Sequence, residues 1–169
     1  MLTPEISTQR LLLRKLKSSD KDDLIAIFMS DEVNALTGNP SCSLEEAEEL
    51  FRKIFDIYRG ALGERFFKVW AIEKDGAYVG HLELKQTPHT QGDEVEVVYM
   101  LNPNYWRQGI MTEALSALKG YAHQEGKRII ATVDKTNLPS LELLRRLGVA
   151  EEHYLEDDEN TVKLLLTSP

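Results

Sequence analysis

The segment Tyr105-Trp106-Arg107-Gln108-Gly109-Ile110-Met111-Thr112-Glu113-Ala114-Leu115 lies between a run that reads as a strand and a run that reads as a helix. Gly109 lets the backbone turn sharply and come close to a ligand with no side chain in the way. The residues after it open a helix whose first amide N–H groups have no intrahelical partner. Those donors and the positive end of the helix dipole point the same way, so such an end collects anions. The segment is therefore a candidate site for a phosphate or pyrophosphate. A glycine before a helix is also an ordinary turn, so the rest of the chain must decide between the two.

Periodicity and turn chemistry predict the elements around it. Residues 11–16 read as a short apolar strand. Ser18 or Ser19 caps a helix to about Met29, with Leu24, Ile25, Ile27 and Phe28 inward. Residues 34–42 read as a loop, and Ser43 with Glu46 forms a capping box for a helix to about Arg59, followed by a turn over 60–64. Runs 66–73 and 77–85 form a hairpin joined by Lys74-Asp75-Gly76. Residues 94–101 open with a Glu/Val/Glu/Val alternation as a half-buried strand does, with Glu94 and Glu96 on one face. The helix after Gly109 runs to about Gln124. A buried strand over 128–133, a helix over 138–147 closed by Gly148, and a hairpin of 152–155 with 161–167 complete the chain. The order is β-α-α-β-β-β-α-β-α-β-β.

At 169 residues, with no repeat and no linker, the expectation is one domain over 1–169. Apolar content of 42% and charged content of 28% place the chain among soluble globular proteins. No stretch has the length of a transmembrane helix, and no basic-then-apolar leader opens the chain, so no membrane role is expected. Cys42 has no partner for an internal disulfide and reads as an ordinary thiol, which suits a reducing cytoplasm. A net charge of −8 argues against a broad nucleic-acid surface. His81, His89, His123 and His153 show no metal-ligand spacing, so no metal is expected.

The segment 105–115 resembles the acetyl-coenzyme A loop of the GNAT superfamily of N-acetyltransferases, in its ribosomal-protein (Rim-type) N-terminal acetyltransferase branch. That branch reads Tyr-Trp-Gly-Lys-Gly-Tyr-Ala-Thr-Glu-Ala-Leu. Tyr105, Trp106, Gly109, Thr112, Glu113, Ala114 and Leu115 match it; Arg107 and Gln108 replace its Gly and Lys, and Met111 takes its small-residue position. Upstream, Glu96-Val97-Val98-Tyr99-Met100-Leu101-Asn102-Pro103 resembles the family's strand and turn. Downstream, Asn137-Leu138-Pro139-Ser140 and Arg146-Leu147-Gly148 resemble its Asn-x-x-Ser…Lys-x-Gly-Phe segment, and Gln9 to Arg14 resembles its opening strand. The resemblance implies an α+β GNAT fold around a mixed central sheet, with acetyl-CoA as co-substrate.

Acyl transfer from a thioester to an amine needs a base, donors for the oxyanion and a proton for the thiolate. The resemblance implies Glu96 as base, acting directly or through water. On the bare pattern Glu96 is equally a solvated strand residue. Family members often carry a tyrosine seven positions after the Asn, and here that position is Leu144. The Rim-type branch instead implies Ser140 as acid, a residue that would otherwise serve local hydrogen bonds in a first helical turn. The oxyanion donor is expected near Met100. Implied cofactor residues are Tyr99, Met100, Leu101, Trp106, Arg107, Gln108, Gly109, Ile110, Met111, Thr112, Asn137, Ser140 and Arg146. Met111 could crowd the phosphates or turn inward. Trp70 and Trp106 read as core or cleft walls. The implied acceptor is an amine, in particular the N-terminus of a ribosomal or other protein. A small amine (amino acid, polyamine or aminoglycoside) and a non-catalytic acetyl-CoA-binding domain are the alternatives, and either a monomer or a homodimer is compatible.

Overall fold

The structure is a computed structural model and describes residues 3–37, 42–63 and 65–169. β3 (Phe67–Lys74) and β4 (Ala77–Lys85) form an antiparallel hairpin reversed at Asp75 and Gly76, whose φ angles are 52° and 81°. Two successive left-handed residues are what a tight hairpin turn requires. β2 (Leu11–Arg14) lies beside β3, and β1 (Ile6–Ser7) lies outside β2. On the other side, β5 (Glu94–Leu101) pairs antiparallel with β4, and β6 (Arg128–Asp134) joins β5 in parallel. The last hairpin, β7 (Val149–Leu155) and β8 (Asp158–Leu166), places β8 against β6. Among the described residues the sheet order is β1-β2-β3-β4-β5-β6-β8-β7.

Helices cover both faces. α1 (Lys21–Phe28) and α3 (Leu44–Tyr58) bury Leu24, Phe28, Phe51 and Ile54 against Val69 and Ala71 of β3. α4 (Ile110–Gln124) and α5 (Leu138–Leu147) bury Leu115, Leu118, Leu141 and Leu144 in a cluster with Trp70, Ile72, Val95 and Val97. Odd and even residues of β3 thus feed different cores, the period-two consequence of a pleated strand. The Ser43 hydroxyl accepts from the Glu46 N–H at 3.3 Å, and Glu46 accepts from the Ser43 N–H at 2.8 Å, closing the expected capping box.

Several expectations change. Neither Ser18 nor Ser19 caps α1: both lie in a short 3-10 turn, Ser18–Asp20, and Asp20 holds the N-cap position of the helix. The loop over 34–42 gives way at its start to a helix, α2 (Asp31–Thr37), while 38–41 lie outside the described residues. Asn34, a loop signal in the sequence, is buried, and its Nδ2 donates to the Phe28 carbonyl at 2.9 Å. Its amide therefore caps the end of α1 instead of opening a turn. β1 is two residues long, too short for periodicity to reveal. β7 begins at Val149, three residues before the expected start, because its residues 150–154 are exposed and carry no apolar alternation. The turn over 60–64 is described to residue 63, with Gly60 and Gly63 both at positive φ, and residue 64 lies outside the described residues.

Candidate active site

The parallel pairing of β5 with β6 runs from Glu94↔Arg128 through Val95↔Ile129 to Glu96↔Ile130 and stops. β5 then follows β4 up to Leu101, while β6 follows β8 up to Asp134. A wedge opens between them. The Asn102 N–H donates to the Val79 carbonyl at 2.8 Å, so even-numbered residues aim their backbone groups at β4. The Val97 carbonyl, both backbone groups of Tyr99 and the Leu101 N–H therefore face the wedge beyond the last pair. Near Met100, where an oxyanion donor is expected, the N–H that faces the wedge is that of Tyr99. The Leu101 carbonyl accepts from Trp106 Nε1 at 2.8 Å, which places the indole across the wide end of the wedge.

The glycine loop follows. Arg107 has φ 59° and Gly109, the N-cap of α4, has φ 71°. Left-handed residues in a short loop turn successive amides inward to form an anion cradle. The Glu113 N–H is the first to return to the loop, at 3.1 Å from the Gly109 carbonyl, so those of Ile110, Met111 and Thr112 have no helical partner. The loop is braced from β2's side: Arg10 Nε donates to Glu113 Oε2 at 2.6 Å and its guanidinium to the Gln108 carbonyl at 3.0 Å. Thr8 donates its hydroxyl to Glu113 Oε1 at 2.6 Å. Sequence reasoning missed this brace. The signal available was a carboxylate in the first turn of α4 and an arginine opening the first strand.

Wedge and loop line one cavity of about 850 Å³, which Val33 and Leu36 of α2 also border. That size fits a small-molecule site. Tyr99, Met100, Leu101, Trp106, Arg107, Gly109, Ile110, Met111, Thr112, Asn137, Ser140 and Arg146 all border it. Gln108 does not: its Nε2 turns back to the Asn104 carbonyl at 3.0 Å, so it closes the loop rather than offering a donor. Ile110 and Met111 are buried in the core under α4, so the bulk of Met111 is directed inward. Asn137 accepts from the Ser140 N–H at 3.2 Å, as an N-cap does. Its Nδ2 donates to the Leu36 carbonyl at 2.6 Å, tying α2 to α5. Arg146 is largely exposed, 3.7 Å from Glu142. Leu144 is fully buried. The Tyr99 hydroxyl is buried and completes no hydrogen bond, with the Ser140 hydroxyl as its polar neighbour; burial pushes the phenol up to about 12, against a smaller downward pull from Ser140.

Glu96 lies at the apex of the wedge but does not border the cavity. The solvated strand reading fails for it and for Glu94, since both are buried. Glu96 Oε2 accepts from Thr87 Oγ1 at 2.5 Å, and Oε1 accepts from Thr132 Oγ1. Glu94 accepts from Lys163 Nζ at 3.0 Å and from the Gln91 N–H at 3.0 Å.

The family model for the acetyltransferase (GNAT) domain matches residues 10–150, and the chain belongs to that family. It is an acetyl-CoA-dependent N-acetyltransferase. The uncharacterized N-acetyltransferase p20 of Bacillus licheniformis is 28% identical over 155 residues, spanning 90% of this chain and 85% of the relative. Among solved structures, Mycobacterium smegmatis RimJ in complex with CoA-disulfide superposes with a TM-score of 0.72 at 23% identity, covering 92% of this chain and 79% of that one. A Salmonella typhimurium acetyl transferase described as modifying the N-terminal serine of a 50S ribosomal subunit protein gives 0.73 at 20% identity, with 96% and 97% covered. At these identities the two structures show a shared fold. Among the described residues no group of three or more His, Cys, Asp or Glu side chains could hold a metal ion, and no helix is long and apolar enough to cross a membrane.

The residues present fit acetyl-CoA. The backbone groups of β5 facing the wedge match an extended amide chain, and the cradle before α4 matches a pyrophosphate. At Gly109, φ 71° disfavours any side chain, and an added Cβ would meet Arg10 at 3.4 Å. Gly109→Val should therefore weaken acetyl-CoA binding more than tenfold, or about 1.4 kcal/mol, in a folded protein. Isothermal titration reads this directly, and an unchanged dissociation constant would remove the loop from the site.

Proposed function

We propose that this enzyme acetylates the N-terminal α-amine of a protein, a ribosomal protein being the first acceptor to test, by direct attack in a ternary complex in the cytoplasm. The observation that supports this is the Rim-type pattern of the 105–115 segment, whose first half, Gln108 apart, borders one cavity with Asn137 and Ser140. The fold is also shared with a Salmonella enzyme described as acting on an N-terminal serine.

Acetyl-CoA supplies an activated acetyl thioester. The α4 amides and Arg107 hold its pyrophosphate, and the backbone of Val97, Tyr99 and Leu101 pairs with its pantetheine arm. The Tyr99 N–H polarises the thioester carbonyl, where negative charge develops. Glu96 draws the proton from the amine through water or through its Thr132 partner. An α-amine with pKa near 8 needs only modest help. Ser140 gives a proton to the departing sulfur, and Asn137 sets Ser140 by capping its helix.

A thiol-release assay tests the acceptor, run in parallel with unblocked basic peptides, the same peptides N-acetylated, polyamines and aminoglycosides. Turnover is expected with the free peptides and not with the blocked ones. Turnover confined to polyamines or aminoglycosides would overturn the acceptor. The assay also reads the acid: Ser140→Ala should slow turnover about tenfold or more while the acetyl-CoA dissociation constant stays put, because only a transition-state interaction is lost. An acyl donor with a more acidic thiol should recover part of the rate. Near-normal turnover in this variant would return Ser140 to a local role at the start of α5.

A further inference from the structure

We propose that the Tyr99 phenol is the proton source behind Ser140 when the thiolate leaves. The proposal rests on the acetyltransferase reading of the cavity but not on which amine is acetylated. A buried hydroxyl with no partner costs about 1–3 kcal/mol, and native structures seldom keep one without a use. Tyr99 is such a case. It lies on the unpaired stretch of β5, packs against the α4–α5 core, and borders the same cavity as Ser140. The other place from which a phenol could serve, position 144, holds a buried leucine.

The chemistry favours a pair over Ser140 alone. An aliphatic alcohol is a far weaker acid than a thiol, whereas a phenol lies closer to one even with burial pushing Tyr99 up to about 12. Burial keeps Tyr99 protonated at working pH, so the proton is present when needed. In the step itself the amine nitrogen bonds to the carbonyl carbon, the carbon–sulfur bond breaks, and its electron pair stays on sulfur. Ser140 Oγ–H passes to that sulfur while Tyr99 Oη–H passes to Ser140 Oγ. The phenolate regains a proton from water when the cavity opens, and the amine's surplus proton departs on the Glu96 side.

Tyr99→Phe tests this by removing one oxygen. Because that oxygen has no partner, folding stability should hold or rise slightly, and acetyl-CoA affinity should stay within about twofold. Turnover should fall at least tenfold. Slow hydrolysis of acetyl-CoA without any amine should fall by a similar factor, since the same bond breaks. The Tyr99→Phe/Ser140→Ala double variant should be no slower than Ser140→Ala, because both residues serve one transfer. Wild-type turnover in Tyr99→Phe would overturn the role. So would losses that multiply in the double variant, or a loss of acetyl-CoA affinity with turnover intact. If the peptide panel fails while basal hydrolysis still responds to Tyr99→Phe, the acceptor falls and the relay stands.

Discussion

Glu96→Gln should leave acetyl-CoA affinity intact and lower turnover at pH 7 by about 10²-fold, as removal of a general base does. The substitution keeps the size and shape of the side chain. Thr87 and Thr132 donate to the two carboxylate oxygens, and a hydroxyl can rotate to accept instead. The glutamine can therefore satisfy both neighbours, and the apex of the wedge should hold. What disappears is basicity. The deficit should shrink as pH rises past the amine's own pKa, near 8, because the acceptor then arrives unprotonated. A pH–rate profile of both enzymes reads this. Equal rates at pH 7 would make Glu96 a clip that fastens β5 to β6 and to the 87–90 turn, and nothing more.

The largest loss of stability should come from Asp20→Asn, at about 3 kcal/mol or more, the cost of breaking a buried ion pair on one side. Arg14 is buried and donates to both Asp20 oxygens, at 2.7 and 3.0 Å, and to Glu73 at 2.5 Å. Asp20 also accepts the Lys17 N–H at 2.7 Å. Asparagine offers one acceptor and turns an amide toward the guanidinium. The sign of the pH dependence follows from the lowered carboxylates. Burial would raise Asp20, but the Arg14 and Lys17 hydrogen bonds outweigh it, and the Arg14 hydrogen bond holds Glu73 down too. The stability they contribute is complete above the ordinary carboxylate range and drains away as pH falls through their depressed folded values. Urea unfolding at pH 7 and at pH 3 should therefore show a steeper acid loss in the wild type than in Asp20→Asn. Parallel losses would mean that the pair contributes little.

What the sequence could show depended on how local the cause was. Glu and Val alternate over 94–97 and an apolar run carries on to Leu101, and β5 has those bounds. Ser43 and Glu46 name their own helix start because a capping box closes within four residues. The glycine loop was legible for the same reason, since Arg107 to Thr112 are contiguous. The pieces that make the loop a site were not. Arg10 and Glu113 are 103 positions apart, and Asn137 and Leu36 are 101 apart. Thr132 meets Glu96 only because β6 runs parallel to β5. Gln108 misled by its type: an amide in an anion loop reads as a donor to the ligand, whereas this one is spent on Asn104.

The wedge has a consequence for how the protein coexists with its neighbours. Unpaired backbone along a strand invites other chains to add to it, and proteins usually blunt such edges with charge, proline or a bulge. Here the vulnerable stretch, Val97 to Leu101, lies inside the sheet instead of at its rim. It is closed at one end by three residue pairs, shut at the other by Trp106, and flanked by α2 and α5, which Asn137 joins. A foreign strand would need to thread a dead end. A slim, flexible arm with a few amides suits such a slot better than a strand does, so the fold keeps bare backbone groups without offering them at an edge.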